Sequence, residues 1–83
     1  MKYEILYKKK ALKFIQKQPP EQQKRIILAI SRLPFEGDIK PLAGMEGEFR
    51  LRVGDYRIRY TVDHGRLIVT VIDAGNRGDV YKS

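Results

Sequence analysis

The chain has 83 residues, 42% of them hydrophobic and 33% charged, which is typical of one globular domain with a single core. Its formal charge of +7 favours an anionic partner: nucleic acid, a membrane surface or an acidic protein. With no cysteine and one histidine, it cannot form disulfides, thiolate zinc sites or histidine-rich metal sites. We expect residues 1–83 to form a single domain without a metal or small-molecule cofactor.

The start of the chain carries no recognisable targeting or membrane segment. Charges interrupt the opening stretch MKYEILYKKKALKF every few residues, whereas a signal peptide needs an apolar core and a membrane span needs roughly 20 apolar residues. We therefore expect a soluble, unprocessed protein with no membrane partner. The lack of cysteine fits the reducing cytoplasm.

The first half of the chain is predicted to form one strand and a helical hairpin. Alternating apolar and polar residues predict a strand over residues 2–7, and helical spacing then predicts a helix over residues 8–18 that two prolines end. Pro20 suits the first turn of a second helix, which should run to about Leu33. The second helix has one apolar stripe, formed by Ile26, Ala29, Ile30 and Leu33.

The second half is predicted to form three strands in succession. A connection rich in proline and glycine covers residues 34–47. Alternation then predicts strands over residues 48–53, 56–62 and 67–73. His64 and Gly65 are expected to form a two-residue turn between the last two strands.

The register that this turn implies places a continuous apolar face along the last two strands. The expected pairs are Val62 with Leu67 and Tyr60 with Val69. The opposite face would then carry Ile68, Thr70 and Ile72.

The stretch EFRLRVGDYRIRY, residues 48–60, alternates apolar residues with arginines. Gly54 and Asp55 suit a type II′ turn, because glycine is favoured at its first central position. The expected cross-strand pairs are Val53 with Tyr56, Arg52 with Arg57, Leu51 with Ile58 and Arg50 with Arg59. One face of this hairpin is therefore apolar, and the other carries two facing pairs of arginines.

Like charges directly opposed across two strands repel, so these four arginines need an explanation. An anionic ligand is one, because the planar guanidinium fork binds phosphate through two hydrogen bonds. Ion pairs on a solvated face are the other. In that case Arg57 and Arg59 would be paired with carboxylates, the candidates being Glu46, Glu48, Asp55 and Asp73.

The order of elements is β-α-α-β-β-β and predicts an α+β fold. We expect the two-helix hairpin to pack on one face of a mainly antiparallel four-stranded sheet. The other face should stay open, because covering four guanidinium groups would cost desolvation energy that only full pairing could offset.

The motifs KPLAG, RLRVGDYRIRY and NRGDVY, in this order, resemble the RelE/ParE superfamily of small bacterial and archaeal toxins, and in particular its RelE-like ribonucleases. The resemblance covers nearly the whole chain. It implies a toxin that cleaves messenger RNA on the ribosome without a metal ion, and a cognate RelB-like antitoxin that holds the toxin inactive.

The resemblance also implies site residues. By position, the catalytic set is Arg52, Arg57, Arg77 and Tyr81, with Arg50 binding RNA beside them. Arginine stays charged and cannot serve as a proton acceptor, so Tyr81 is the best acid or base. Arg59, Lys8 and Lys9 are further candidates for contacts to the RNA backbone, although lysines at a helix start are equally compatible with a solvated surface.

Two alternatives for the function stay open at this point. A ParE-like inhibitor of DNA gyrase belongs to the same superfamily, and the combination of arginines with Tyr81 favours the nuclease over it. An RNA- or ribosome-binding module without catalysis would use the same arginines, because binding and cleavage both need phosphate contacts.

Overall fold

The computed structural model describes residues 2–42, 44 and 47–76. These residues form two helices and five strands. The elements are β1 (Glu4–Tyr7), α1 (Lys9–Gln16), α2 (Pro20–Ser31), β2 (Asp38–Pro41), β3 (Glu48–Val53), β4 (Tyr56–Asp63) and β5 (Ile68–Asn76). Among them, no helix is long and apolar enough to span a membrane.

One sheet contains all five strands, in the order β1-β5-β4-β3-β2. β1 pairs in parallel with β5, and the other neighbours are antiparallel. Both helices contribute to the core on one side of this sheet, which confirms the α+β arrangement. The sheet has five strands, however, and the expected number of four was wrong.

The two prolines separate the helices: α1 ends at Gln16, before Pro19, and α2 begins at Pro20. Pro20 occupies the start of α2 with Glu21 in its first turn, where an acidic side chain is favoured by the helix dipole. The short connection between the helices is closed by Gln23, whose amide donates to the carbonyl oxygens of Gln18 (2.7 Å) and Gln16 (3.2 Å).

The core lies between the helices and the apolar face of the sheet. Its members are Ala11, Ile15, Ile26, Ile30, Leu33, Leu51, Val53, Ile58, Tyr60, Val69, Val71 and Ala74. Ile26, Ile30 and Leu33 come from the stripe predicted for the second helix, and the strand residues alternate along β3 and β4 with the arginines. The opposite face of the sheet is therefore the arginine-bearing face, as alternation predicts.

The additional strand, β2, lies within the connection predicted over residues 34–47. It pairs with β3 at the edge of the sheet, with Ile39 opposite Leu51. Its last residue is Pro41, which an edge strand tolerates because it need not donate a hydrogen bond on its outer side. A strand of only four residues that follows a glycine and ends in a proline gives a short pattern, which is easily taken for a loop.

The second hairpin has a longer loop and a different register from those expected. Residues 64–67 form the loop, and the observed pairs are Val62 with Val69 and Tyr60 with Val71. Asp63 explains the difference, because its Oδ1 accepts a hydrogen bond from the backbone N–H of Arg66 (3.0 Å) and so closes a longer turn. The shift is two residues, so the core face is preserved.

A β-bulge opposite Arg59 and Tyr60 shifts the register between β4 and β5 by one residue. Tyr60 pairs with Val71, whereas Arg59 pairs with Asp73, so that β5 has one extra residue here. Such a bulge changes which side chains share a face. Its consequence is a carboxylate opposite one of the four arginines.

Candidate functional site

The face of the sheet opposite the helices, the open face, carries two parallel rows of residues that cross several strands. One row consists of Lys40, Arg50, Arg59 and Asp73, and the other of Asp38, Arg52, Arg57 and Gly75. The expected pairing of Arg50 with Arg59 and of Arg52 with Arg57 is confirmed. We call the surface formed by these four arginines the arginine face.

The turn that joins β3 to β4 sets this register. Gly54 has φ +59°, the left-handed value that the first central residue of a type II′ turn requires and that glycine adopts readily. A two-residue turn of this kind fixes the pairing of the strands that it joins. The two pairs of like charge are therefore imposed by the hairpin itself.

Arg50 and Arg59, both expected to bind RNA, are held by carboxylates. Nη2 of Arg50 lies 3.2 Å from Oδ1 of Asp38, and the side chain is only 15% exposed. Nη1 of Arg59 lies 3.2 Å from Oε1 of Glu48, and Nη2 lies 4.0 Å from Oδ2 of Asp73. The ion-pair explanation thus applies to Arg59, and it extends to Arg50.

Arg52 and Arg57 are placed differently. Nε of Arg52 lies 3.5 Å from the carbonyl oxygen of Gly54, and Nη1 of Arg57 lies 3.4 Å from the same oxygen. Nη1 of Arg57 also lies 3.4 Å from the carbonyl oxygen of Tyr56. These are long hydrogen bonds to neutral acceptors. Within residues 2–42, 44 and 47–76, neither guanidinium has a carboxylate at ion-pair distance.

Asp73 is the most buried charged residue of this surface, with 8% exposure. Its Oδ1 accepts a hydrogen bond from the backbone N–H of Ala74 (2.9 Å), and its Oδ2 lies 3.4 Å from Nζ of Lys10. Lys10 and Arg59 therefore share this carboxylate. The bulge in β5 creates the arrangement, because it brings Asp73 opposite Arg59.

The lysines at the start of α1 lie outside the two rows. The side chains of Lys8 and Lys9 are exposed, and the backbone N–H of Lys8 donates to the carbonyl oxygen of Val71 (2.8 Å). It is Lys10, the next residue, whose ammonium group reaches Asp73. Because Lys8, Lys9 and Lys10 are identical in type, the sequence does not indicate which of them faces the sheet.

Arg77 and Tyr81, the other two expected catalytic residues, lie outside the described residues. β5 ends at Asn76, which pairs with Tyr56 at the start of β4. Arg77 is the next residue in the sequence. The roles of Arg77 and Tyr81 remain predictions from the resemblance.

Sequence reasoning missed Asp38 and Lys40, because it missed β2. Both lie on the open face, Asp38 opposite Arg52 and Lys40 opposite Arg50. The segment DIKP alternates charged and apolar residues, which is the signal that could have revealed them.

The tyrosines of β1 and β4 lie in the core or pack against it. Burial raises the pKa of Tyr60 to about 12 and also raises the pKa of Tyr7, because the phenolate would lose its hydration. The hydroxyl of Tyr56 donates to Oε1 of Gln18 (3.1 Å). Tyr60 lies in the core and Tyr56 packs against it, so both are packing residues on the apolar face of the hairpin.

The single histidine lies far from the paired arginines. His64 is in the loop at one end of β4, whereas Gly54 and Asp55 form the turn at the other end. Its Nδ1 lies 2.8 Å from the hydroxyl of Tyr3. Across the part of the chain that the structure describes, no group of three or more His, Asp or Glu side chains could hold a metal ion.

Comparison with known proteins gives matches along almost the whole chain. The family described as "ParE toxin of type II toxin-antitoxin system, parDE" matches residues 5–81. A curated relative from Methanocaldococcus jannaschii that carries the toxin name RelE1 is 29% identical, over 100% of this chain and 99% of the relative.

Solved structures show the same fold. The archaeal RelE–RelB complex from Pyrococcus horikoshii OT3 matches with a TM-score of 0.80 and 25% identity, over 95% of this chain and 99% of that one. The isolated E. coli RelE toxin matches with a TM-score of 0.69 and 27% identity, over 95% of this chain and 90% of that one.

The fold and these matches define the class of protein: a toxin of a toxin–antitoxin system with a RelE-like structure. The chain belongs to the ParE toxin family of type II toxin–antitoxin systems, within the RelE/ParE superfamily.

Proposed function

We propose that this toxin is a ribosome-dependent endoribonuclease that cleaves messenger RNA without a metal ion and so inhibits translation. The observation that supports this most strongly is the opposed pair of Arg52 and Arg57. Among the described residues, their guanidinium groups form hydrogen bonds only to neutral carbonyl oxygens. Two adjacent cations without a carboxylate between them form a favourable site for a phosphate.

The chemistry of RNA cleavage divides into three tasks. The 2′-hydroxyl must lose a proton, the negative charge on the pentacoordinate phosphorus must be neutralised, and the leaving 5′-oxygen must gain a proton. Arg52 and Arg57 are suited to the second task, because a guanidinium remains charged and offers several fixed donors. They cannot accept a proton at neutral pH.

Tyr81 is our candidate for one of the two proton transfers, and Arg77 for a further contact to the phosphate. A phenol ordinarily has a pKa near 10, which a surrounding group of cations would lower. Without a strong base, much of the rate must come from holding the RNA in line for attack. A ribosome that presents the message in a fixed conformation would supply this, which is why we propose dependence on the ribosome.

We further propose that a RelB-like antitoxin is the natural partner. Solved relatives are described as RelE–RelB complexes from P. horikoshii and M. jannaschii. The arginine face, together with the net charge of +7, is suited to an acidic or amphipathic segment that becomes ordered as it binds. Such a segment would compete with RNA for Arg52 and Arg57.

The match to the ParE toxin family favours one second candidate, a ParE-like inhibitor of DNA gyrase. Two assays on the same preparation separate the candidates. Primer extension on a message undergoing translation should show new ends at ribosomal positions if the toxin is a nuclease. A gyrase supercoiling assay should instead accumulate relaxed plasmid if it is a gyrase inhibitor. Ribosome binding without new ends would indicate a binding module that lacks catalysis.

A further inference from the structure

A cleft of about 360 Å³ lies on the helix side of the sheet, beside the turn between β3 and β4. Its floor includes the buried side chains of Leu51 and Val53, and the exposed residues at its rim include three arginines. Arg25 and Arg32 come from α2 and its C-terminal end, and Arg52 comes from β3. We call this the α2 cleft.

The α2 cleft is cationic. For Arg25 and Arg32, no carboxylate of the described segments lies at ion-pair distance, and the guanidinium of Arg52 lies at the border with the arginine face, where it contacts the carbonyl oxygen of Gly54. Glu36 also lines the cleft, which leaves an excess of positive charge. Unpaired guanidinium groups around an open cleft with an apolar floor favour an anionic ligand.

Gly54 connects the α2 cleft to the arginine face. Its carbonyl oxygen is the shared acceptor of Arg52 and Arg57 on the open side of the sheet. On the other side, a β-carbon added to Gly54 would lie 3.0 Å from Nη1 and 3.1 Å from Nη2 of Arg25. Three guanidinium groups thus converge on one glycine, and the absence of a side chain there lets Arg25 lie against the turn.

We propose that the RNA strand continues from the arginine face around the tip of the β3–β4 hairpin and that its backbone phosphates bind in the α2 cleft, at Arg25 and Arg32. This inference rests on the proposed function and extends it to a second contact surface. The open form of the cleft and its continuity with Arg52 favour a phosphodiester chain over a separate small anion. Arg25 and Arg32 bind the strand and take no part in the cleavage step.

The test compares two double variants of the full-length toxin with equal charge changes. Arg25→Gln/Arg32→Gln alters the cleft. Lys13→Gln/Arg66→Gln is the control, because Lys13 is exposed on α1 and Arg66 lies in the loop at the far end of β4. Thermal unfolding checks that both variants fold. Binding is measured against single-stranded oligouridylate, against ribosomes carrying a message, and against poly-L-glutamate, over a range of salt concentrations.

The cleft variant should make the negative slope of log K against log salt for oligouridylate shallower by about 1.4, because each of the two lost phosphate contacts to a single strand contributes roughly 0.7. The control should change it by much less. The same reduction with ribosomes would show that the strand follows this path on the translated message. If the cleft variant lost affinity for ribosomes but not for oligouridylate, the contact would be assigned to ribosomal RNA. The inference for the message strand would then be overturned.

Two further results would overturn the inference. One is an unchanged slope in the cleft variant while Arg52→Gln lowers it, which would leave the proposed function intact and confine RNA to the arginine face. The other is weaker binding of poly-L-glutamate with unchanged RNA binding, which would assign the cleft to an acidic protein. Wild-type toxin that bound ribosomes without cleaving the message would contradict the proposed function alone.

Discussion

Arg52 of β3 and Arg57 of β4 lie directly opposite each other, and both side chains contact the carbonyl oxygen of Gly54, at 3.5 and 3.4 Å. The neighbouring pair, Arg50 and Arg59, differs because Asp38, Glu48 and Asp73 hold its guanidinium groups. Among the described residues, the same hairpin therefore contains one pair of like charges that carboxylates compensate and one pair that they do not. Removing an arginine from the compensated pair should therefore destabilise the fold, whereas removing one from the other pair should not.

Arg57→Thr should leave the free energy of unfolding unchanged or raise it by roughly 0.2–1 kcal/mol, because it relieves the repulsion between opposed like charges. Arg59→Thr is the matched control on the same strand. It should lower the free energy of unfolding by roughly 1–3 kcal/mol, since it removes the charged hydrogen bond to Glu48 and one of the two cations beside the buried Asp73. Urea unfolding measures both. Equal destabilisation by the two substitutions would argue against an uncompensated Arg52–Arg57 pair.

Asp38→Asn should increase the affinity of the toxin for single-stranded RNA. The substitution removes the carboxylate that holds Arg50 at 3.2 Å, so that this guanidinium becomes free to bind phosphate. The slope of log K against log salt should steepen by up to about 0.7. Asp63→Asn is the control, because it makes the same charge change beside Arg66 at the far end of β4. Equal effects of the two variants would show that net charge alone governs binding.

Gly37→Ala should destabilise the fold much more than Gly44→Ala. Both glycines have positive φ, +128° and +75°, so each substitution meets backbone strain. A β-carbon on Gly37 would also lie 2.7 Å from Cδ1 of the buried Leu51, whereas none of the described atoms lies within 4 Å of one on Gly44. Overpacking of this kind costs roughly 1–3 kcal/mol.

Thermal unfolding of the two glycine variants measures the difference. Because Gly37 directly precedes β2, Gly37→Ala should also disturb Asp38 and so weaken the hold on Arg50. Equal stability of the two variants would show that the segment before β2 moves away from Leu51 at little cost.

The hairpin of β3 and β4 could be predicted from the sequence in detail, whereas the edge strand β2 and the register of β5 could not. The turn residues Gly54 and Asp55 fix a local register, and strict alternation fixes both faces. The second loop depends on the side chain of Asp63 and on Leu67 at φ +59°, a conformation that leucine rarely adopts. No local pattern signals either feature.

The candidate site divides in the same way. The opposition of Arg52 with Arg57 follows from the turn, and it was predicted. The neutralisation of Arg50 and Arg59 depends on the edge strand that carries Asp38 and on the bulge that places Asp73. Both come from tertiary pairing, so the sequence alone offered several carboxylates as candidates without indicating which of them would be used.

Stability should fall at alkaline pH because of Tyr60. Burial raises its pKa from 10.0 to about 12 in the folded protein, so the folded state holds the phenolic proton more tightly than the unfolded chain does. The contribution of the neutral Tyr60 side chain to the free energy of unfolding is fully present below pH 10 and is lost as the pH rises from about 10 to about 12. Tyr60→Phe should flatten the pH dependence of the free energy of unfolding across this range. Parallel profiles for the variant and the wild type would contradict the assignment.

The claim that Arg52 and Arg57 form the phosphate site of a nuclease is tested most directly by mapping the ends of a message during translation in vitro. The wild-type toxin should produce new ends at ribosomal positions. Arg52→Gln/Arg57→Gln should slow their formation at least ~100-fold, the scale expected when groups that stabilise transition-state charge are removed, and Arg50→Gln/Arg59→Gln should slow it far less. Cleavage by the first variant at the wild-type rate, or no cleavage by folded wild-type toxin, would contradict the claim.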